Sequence, residues 1–355
     1  MKILATADWH VDNQPFGGRD NRILRSIKAL QAVSEWCNDN DVNAYVICGD
    51  LFEKVQPLNR VIIQAKWALE FCKCNIYTLT GNHDRGELLI DSPISLTVHW
   101  RNPIEKHFHC IDYCRDSADF LVSLERSLDH DLSVSINHSL IFCHQYFEGL
   151  YNYKASDRVE VVPLKLLLSQ YTQPGRTVTI VSGHYHKQGF LKLFDNAAVY
   201  SIGIPICQSF GDINETNVGL VIEGNYETGY HIREISMFGD IYLDDFEIPD
   251  FYIYPIDKIE DFNPDLIVKG EYYRFDLGDK LSAEDLEEII SILKQMDVIY
   301  QLKKQAMFYD PGIIKVPTET NFKSFEILDR VISLHKPADP EGVKQEALTI
   351  MGEQK

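Results

Sequence analysis

The chain has 355 residues, which at roughly 100–200 residues per domain suggests two or three domains. Hydrophobic residues make up 45% of it, enough for a sizeable core, so disorder as the main state is excluded. Lys and Arg number 34 against 53 Asp and Glu; the net charge of −19 excludes a non-specific basic coat for nucleic acid. It leaves nucleic acid open as a substrate, because a carboxylate site that holds cations reverses the local sign.

No run of about 18 apolar residues is present, and the N-terminus turns polar at Asp8, too early for a signal peptide. A cytoplasmic protein with no membrane partner is expected. The eight cysteines, at 37, 48, 72, 74, 110, 114, 143 and 207, sit mostly in apolar runs without CxxC pairs. They read as buried reduced thiols. A zinc site from Cys72, Cys74, Cys110 and Cys114 is the rival reading, but its spacing is not that of a zinc ribbon.

The first half alternates strand and helix signals. Lys2 to Ala7, Asn43 to Cys48 and Asn75 to Leu79 read as buried strands. Between them, Ile23, Ile27, Leu30 and Val33 mark a helix over Arg22 to Trp36. A second helix opens at Pro57, with Val61, Ile62, Ala65, Ala68 and Leu69 on its apolar side. This βαβαβ order predicts parallel strands covered by helices.

The middle of the chain reads as a second set of strands. They are Ser139 to Cys143, Thr177 to Val181, Phe190 to Phe194, Ala198 to Ile202, Val218 to Ile222 and Tyr230 to Ile235. Asp195-Asn196 and Gly224-Asn225 supply hairpin turns. Two packed sheets with helices outside is the expected architecture.

After Met237 the pattern changes to a small α+β unit. Strands are expected at Phe251 to Ile256, Tyr272 to Leu277 and Val298 to Leu302. A helix starts at the Ser282-x-x-Asp285 cap and runs to about Met296. Pro317 to Lys323 reads as a linker. Beyond it, Phe325, Leu328, Val331, Ile332 and Leu334 form one apolar helical stripe, and Val343, Ala347, Leu348 and Met351 a second. Such short amphipathic helices either fold back on their own domain or dock on a partner.

Five pieces carry chemistry: Asp8-Trp9-His10, Gly49-Asp50, Gly81-Asn82-His83-Asp84, His144 and Gly183-His184-Tyr185-His186. Each lies at the carboxyl end of an expected strand, where open α/β sheets gather ligands. Asp, Asn and His are oxygen and nitrogen donors suited to Mn²⁺, Fe²⁺ or Zn²⁺. The glycines before Asp50, Asn82 and His184 permit turns that send a side chain off the strand end. A carboxylate such as Asp50 bridges two cations well. Two ions about 3.5–4 Å apart activate water and clamp the oxygens of a phosphoester. The remaining histidines, 99, 107, 109, 130, 138, 231 and 335, read as surface or satisfied core residues.

In this order and spacing the five blocks resemble the calcineurin-like, binuclear metallophosphoesterase superfamily over residues 1–235. The resemblance implies a four-layer α-β-β-α metallophosphoesterase sandwich. It implies one metal on Asp8, His10, Asp50 and His186, and another on Asp50, Asn82, His144 and His184. His83 is then the residue that stabilises the transition state or protonates the leaving oxygen, and Asp84 a candidate to orient its ring.

The protein-phosphatase branch carries Gly-Asp-x-x-Asp-Arg-Gly at the second block, which Gly49-Asp50-Leu51-Phe52-Glu53-Lys54 does not match. That block is similar instead to the nuclease subunit SbcD and its Mre-type counterparts. So are Tyr200 to Pro205, Ser209 to Asp212 and Val218 to Leu220. The domain order also matches: phosphoesterase over 1–237, an α+β cap over 238–316 and a linker with helical tail over 317–355.

This resemblance implies a Mn²⁺-dependent DNA exonuclease or endonuclease with two divalent ions. It would act in DNA repair, recombination or replication and be DNA-associated. Phe325 to Met351 would dock on an SbcC/Rad-type SMC-like ATPase, with a homodimer inside a heterotetramer. Archaeal and eukaryotic members usually carry His where Glu53 stands, whereas bacterial and phage members often have an acid. The alternatives are a small-molecule or nucleotide phosphoesterase with the same site, and a scaffold subunit with weak catalysis. Arg19, Arg22, Arg85 and Lys187 are the basic residues near the motif loops, and each reads as a solvated surface charge.

Overall fold

The computed structural model describes residues 1–12, 22–84, 108–150, 161–209, 212, 218–241, 251–269, 271–278, 280–296 and 298–304. Strands β1 (Lys2–Thr6), β2 (Ala44–Ile47) and β3 (Asn75–Thr78) pair in parallel. Helices α1 (Arg22–Asp39) and α2 (Asn59–Glu70) supply the crossovers between them. Leu58 is the N-cap of α2, so Pro57 precedes the helix rather than opening it.

The second sheet has the order β4-β5-β6-β8-β7. Its strands are β4 (His109–Cys110), β5 (His138–His144), β6 (Thr177–Gly183), β7 (Gly189–Phe194) and β8 (Ala197–Ser201). Two helices here have no counterpart in the sequence reading: α3 (Ser117–Ser133) and α4 (Lys165–Tyr171). In α3 the apolar residues Phe120, Leu124 and Leu128 recur every four residues along one buried face. Asp116 caps this helix by accepting from the Ala118 amide.

One expected placement is corrected. Strands β9 (Val218–Asn225) and β10 (Gly229–Ser236) do not join the second sheet. They return to the first, which has the order β10-β9-β1-β2-β3 with β9 antiparallel to β1. Residues 226–228 make their turn, and Gly224 and Asn225 end the strand instead. Val218 to Ile222 is buried on both faces, so its periodicity cannot tell which sheet receives it.

Alternation along the strands builds the four layers. Leu4, Tyr45 and Ile47 face α1 and α2. Ile3, Ala5, Ala44 and Val46 face Leu140, Phe142 and Val181 of the second sheet. Ile141, Val178 and Ile180 then face Phe120, Leu124 and Leu168 of α3 and α4. The result is the α-β-β-α sandwich expected. No helix among the described residues is long and apolar enough to cross a membrane.

The cap is a three-stranded sheet of β11 (Phe251–Ile256), β12 (Tyr272–Leu277) and β13 (Ile299–Lys304). All its pairings are parallel, so crossovers rather than hairpins connect the strands. Helix α5 (Ala283–Met296) begins with the expected box: Ser282 and Asp285 each bond the other's amide at 3.1 Å. Ile289 and Leu293 of α5 bury against Tyr273, Phe275 and Leu277.

The other cap face meets Arg22, which is not a solvated surface charge: it is only 1% exposed. Its guanidinium donates to the Cys207 carbonyl and lies 5.2 Å from the Phe251 ring and 5.6 Å from the Tyr272 ring. Those rings stack on each other with centroids 4.6 Å apart. A cation between a carbonyl and two aromatic faces joins the cap to the residues beside the site. A desolvated cation–π contact contributes about 2 kcal/mol and a charged hydrogen bond about 1.5–3 kcal/mol. Arg22→Ala is therefore expected to lower the unfolding free energy by about 3 kcal/mol in urea titration. Arg22→Lys should recover less than half of that, because an ammonium cannot stack its plane on the rings. A change below about 0.5 kcal/mol would show that the contact does not hold the cap.

Candidate metal centre

All seven expected ligand residues converge at the carboxyl ends of β1, β2, β3, β5 and β6. Asp8, His10, Asp50, His144 and His184 come from both sheets, whose carboxyl strand ends lie side by side here. Six described non-glycine residues have positive φ, and four of them are Asp8 (56°), His10 (43°), Asp50 (50°) and His184 (81°). Left-handed backbone costs energy for residues with a Cβ, so its concentration at one place marks a constrained site. The chain reverses sharply after each strand and throws the side chain across the strand ends.

The glycines do more than turn. Gly49 has a φ of 86°, and a Cβ on it would collide with the His144 ring. Gly81 lacks the left-handed φ expected of it; a Cβ there would strike the Asp50 carboxylate. Close approach, rather than turn geometry, explains Gly81.

Two clusters of donor atoms result. Asp8, His10 and His186 form one; Asp50, His144 and His184 form the other. Asp8 Oδ1 lies 4.0 Å from Nε2 of His10, of His144 and of His186. Asp50 Oδ2 lies 3.8 Å from His10 Nε2 and 3.3 Å from His144 Nε2, so one oxygen faces both clusters. Asn82 Oδ1 joins the second cluster at 3.2 Å from His144 Nε2.

The free valences point inward. Asp8 Oδ2 accepts the His184 amide at 3.0 Å, while Oδ1 and His10 Nε2 are buried without a hydrogen-bond partner. Unsatisfied buried polar atoms are costly. Two atoms bound at about 2.0–2.2 Å to one ion lie about 3–4 Å apart, which is the spacing found. The donor set fits divalent cations with oxygen and nitrogen preference.

Outer contacts aim the rings. His144 Nδ1 donates to the Cys48 carbonyl at 2.6 Å and His186 Nδ1 to Asp212 at 3.0 Å, leaving each Nε2 for the centre. Glu53 Oε2 lies 2.7 Å from His10 Nδ1. Burial lowers the His144 pKa, but Asp50, Asp8 and the Cys48 carbonyl together outweigh it and push the group up to about 9. Burial, then the charge on His144, holds His184 down at about 2. Burial raises Asp8, whereas at Asp50 burial is outweighed by His144, His10 and the His83 amide together, which lower it. A pocket that draws a proton onto His144 is one with negative charge to be neutralised.

His83 stands apart from the ligands. It is about 38% exposed on the solvent side of the cluster, its amide donates to Asp50 Oδ1 and its Nδ1 lies 3.0 Å from the Glu53 carbonyl. Asp84 does not orient that ring, which corrects the expectation. Its carboxylate accepts the amides of Gly81 (2.6 Å), Leu51 (2.7 Å) and Phe52 (3.3 Å). It splices the second and third motif loops, and burial with Asp50 nearby pushes it up to about 7.

Several site residues escaped the sequence reading. Asp12 accepts the Glu53 amide at 2.6 Å and so holds the loop that carries Glu53. The Tyr146 ring lies tilted by 57° against His184 at a 4.0 Å centroid distance, and Tyr185 packs on Tyr146. With Lys187 and Asp212 these tyrosines line a cleft of about 280 Å³ over Asp50, Asn82 and His83. Tyr185 and Asp212 lie inside sequence blocks that carry the resemblance and Tyr146 two residues beyond His144, but residue type alone gave them no role. Arg19 and Arg85 lie outside the described residues.

The different partners of Asp84 and His83 separate stability from chemistry. Leaving three buried amides unpaired costs about 1–3 kcal/mol for each that water cannot reach. Asp84→Ala is expected to lower the unfolding free energy by at least about 2 kcal/mol in urea titration, and His83→Ala by less than about 0.5 kcal/mol. Equal losses would contradict the assigned division.

Comparison with known proteins adds the family. The calcineurin-like phosphoesterase model matches residues 1–214. No curated protein matches the sequence. Among solved structures, a dimetal phosphatase from Danio rerio is 13% identical with a TM-score of 0.47, covering 67% of this chain and 96% of that one. A purple acid phosphatase from yellow lupin is 11% identical with a TM-score of 0.43, covering 68% and 52%. A 5'-nucleotidase from Candida albicans is 9% identical with a TM-score of 0.36, covering 83% and 56%. With its family model spanning β1 to β8 and all five motif blocks, the chain belongs to the calcineurin-like phosphoesterases, a family whose centre is binuclear.

Proposed function

We propose that this chain is the nuclease subunit of an SbcCD-like complex, a Mn²⁺-dependent exonuclease or endonuclease that hydrolyses DNA phosphodiesters. The observation that carries the reading is the cap. A second folded unit follows the sandwich and is tied to it through Arg22, Phe251 and Tyr272. That is the domain order of the SbcD and Mre-type subunits. The second block, with Glu53 where the phosphatase branch has Asp-Arg-Gly, supports the same assignment.

Asp8, His10, Asp50 and His186 would hold one ion, and Asp50, Asn82, His144 and His184 the other. Bound divalent ions supply Lewis-acid charge to phosphoryl oxygens and activate the attacking water. The protein's own groups do the rest. His144 and His186 are held in one ring orientation by the Cys48 carbonyl and Asp212. His83 holds Nδ1–H on the Glu53 carbonyl, which leaves Nε2 to carry a proton to the leaving oxygen. Tyr146 and Tyr185 wall the cleft and limit water. The acidic surface favours a partner that brings its own phosphate-binding groups. The proposed ATPase-docking tail, Phe325 to Met351, lies outside the described residues.

Self-association is part of the proposal. On α2, Trp67 is 62% and Ile63 53% exposed, with Leu58 and Phe71 also exposed nearby. Trp67 and Phe71 pack edge to face at 5.8 Å. A single helix that exposes this much apolar surface favours a second copy. Trp67→Glu is expected to convert a dimer into a monomer in sedimentation equilibrium, without change in the circular dichroism spectrum. A wild type that remains monomeric at micromolar concentration would remove the dimer from the proposal.

The activity test is release of nucleotides from an end-labelled linear duplex with Mn²⁺. His83→Ala should keep two ions per chain and lose cleavage by at least about 100-fold, the contribution typical of a positioned acid. Asp50→Ala should lose both ions, because both would share that carboxylate. Hydrolysis of mononucleotides by the metallated protein, with no DNA product, would favour a nucleotide phosphoesterase instead.

A further inference from the structure

At the opposite ends of β1, β2 and β3 from the phosphoesterase centre, three cysteines meet. Cys37 is in the last turn of α1 and fully buried. Cys72 and Cys74 are half-buried and lie in the short connection between α2 and β3. Their three Sγ atoms all lie within 4.8 Å of one another, and those of Cys72 and Cys74 are 3.1 Å apart. The rival four-cysteine grouping with Cys110 and Cys114 does not form. Cys110 packs between the two sheets and Cys114 beside α3.

The backbone around Cys72 is held for this arrangement. Asn38, next to Cys37, donates to the Phe71 carbonyl at 2.8 Å and accepts the Lys73 amide at 2.7 Å. One side chain thus grips the chain on both sides of Cys72 and sets it against Cys37. The Cys72 amide also bonds the Leu69 carbonyl at 3.0 Å. The closest sulfur pair is well beyond the length of a disulfide bond, about 2.05 Å. The third sulfur completes a triangle that a disulfide would not need.

From this triangle we infer a second metal site, unrelated to the phosphoesterase centre: Cys37, Cys72 and Cys74 bind one thiophilic cation of the zinc(II) type. Ligands bound at about 2.3 Å to one ion place their sulfurs a little under 4 Å apart, within reach of the observed triangle. The cluster contains no carboxylate or imidazole, so it selects a soft ion over the hard or borderline ions suited to Asp and His. The half-exposure of Cys72 and Cys74 gives the ion a path in and leaves its fourth position to solvent. Once bound, the ion ties the end of α1 to the start of β3.

Cobalt(II) distinguishes the two centres, because only thiolate ligands give intense near-ultraviolet charge-transfer absorption. The full-length reduced protein, stripped of metal and titrated with Co²⁺, is expected to show that absorption. Cys72→Ser and Cys74→Ser, both at half-exposed positions, should lose most of it while keeping Mn²⁺-dependent phosphoesterase turnover. Zinc should also slow maleimide labelling of Cys72 and Cys74 at least tenfold in the wild type and leave the equally half-buried Cys114 unaffected. Absence of the absorption in fully reduced protein would overturn the site. So would its survival in both serine variants, or a Cys72–Cys74 disulfide that persists under reductant.

Discussion

Two buried carboxylates with too few donors around them govern this structure. Asp8 and Asp50 are almost wholly inaccessible, and each turns one oxygen toward imidazole nitrogens, that of Asp8 without a hydrogen-bond partner. Burying an ionised carboxylate costs several kcal/mol unless it is compensated. The surrounding imidazoles compensate only in part, since His144 draws a proton while His184 is driven neutral. Cations resolve the conflict. The unusual backbone of Asp8, His10, Asp50 and His184 is the conformational cost of bringing these groups to one point.

The sandwich exists to hold that point rigid. Its two sheets press Ile3, Ala5 and Val46 against Leu140, Phe142 and Val181, so the strand ends cannot drift apart. Small residues at the rim then permit contact between loops: Gly49 lets the His144 ring close in, and Gly81 admits the Asp50 carboxylate. Asp84 locks the loops together by their amides. Outside this shell, Asp12, Glu53 and Asp212 aim the histidines through hydrogen-bond and ion-pair contacts. Rigidity passes outward from the core to the ligand and from the ligand to His83.

Charge serves a different purpose at the cap. Arg22 is buried between a carbonyl and two rings and so acts as a fastener, although its sequence neighbourhood suggests a phosphate contact. The same distinction holds for sulfur. Cys37, Cys72 and Cys74 lie 35 or more residues apart along the chain on one side and two apart on the other, and only helix α1 packing against α2 brings them into one triangle.

The seven candidate ligand positions were legible from the family resemblance and because metal chemistry restricts residue type. Asp, Asn and His after glycine at successive strand ends form a pattern that few other constraints produce. Strand and helix periodicity likewise located most of the sandwich and the Ser282 cap. Periodicity failed for β9, whose two-sided burial carries no sheet assignment. The role of Asp84 was misread because adjacency to His83 in sequence says nothing about which atoms a carboxylate reaches. By itself, then, the sequence determined the donor chemistry, the order of layers and the family resemblance, since these depend on residue type and local spacing. Tertiary structure alone decided which carboxylate oxygen stays free, that Arg22 is buried, and that three distant cysteines meet, because each is a property of long-range packing that no local pattern encodes.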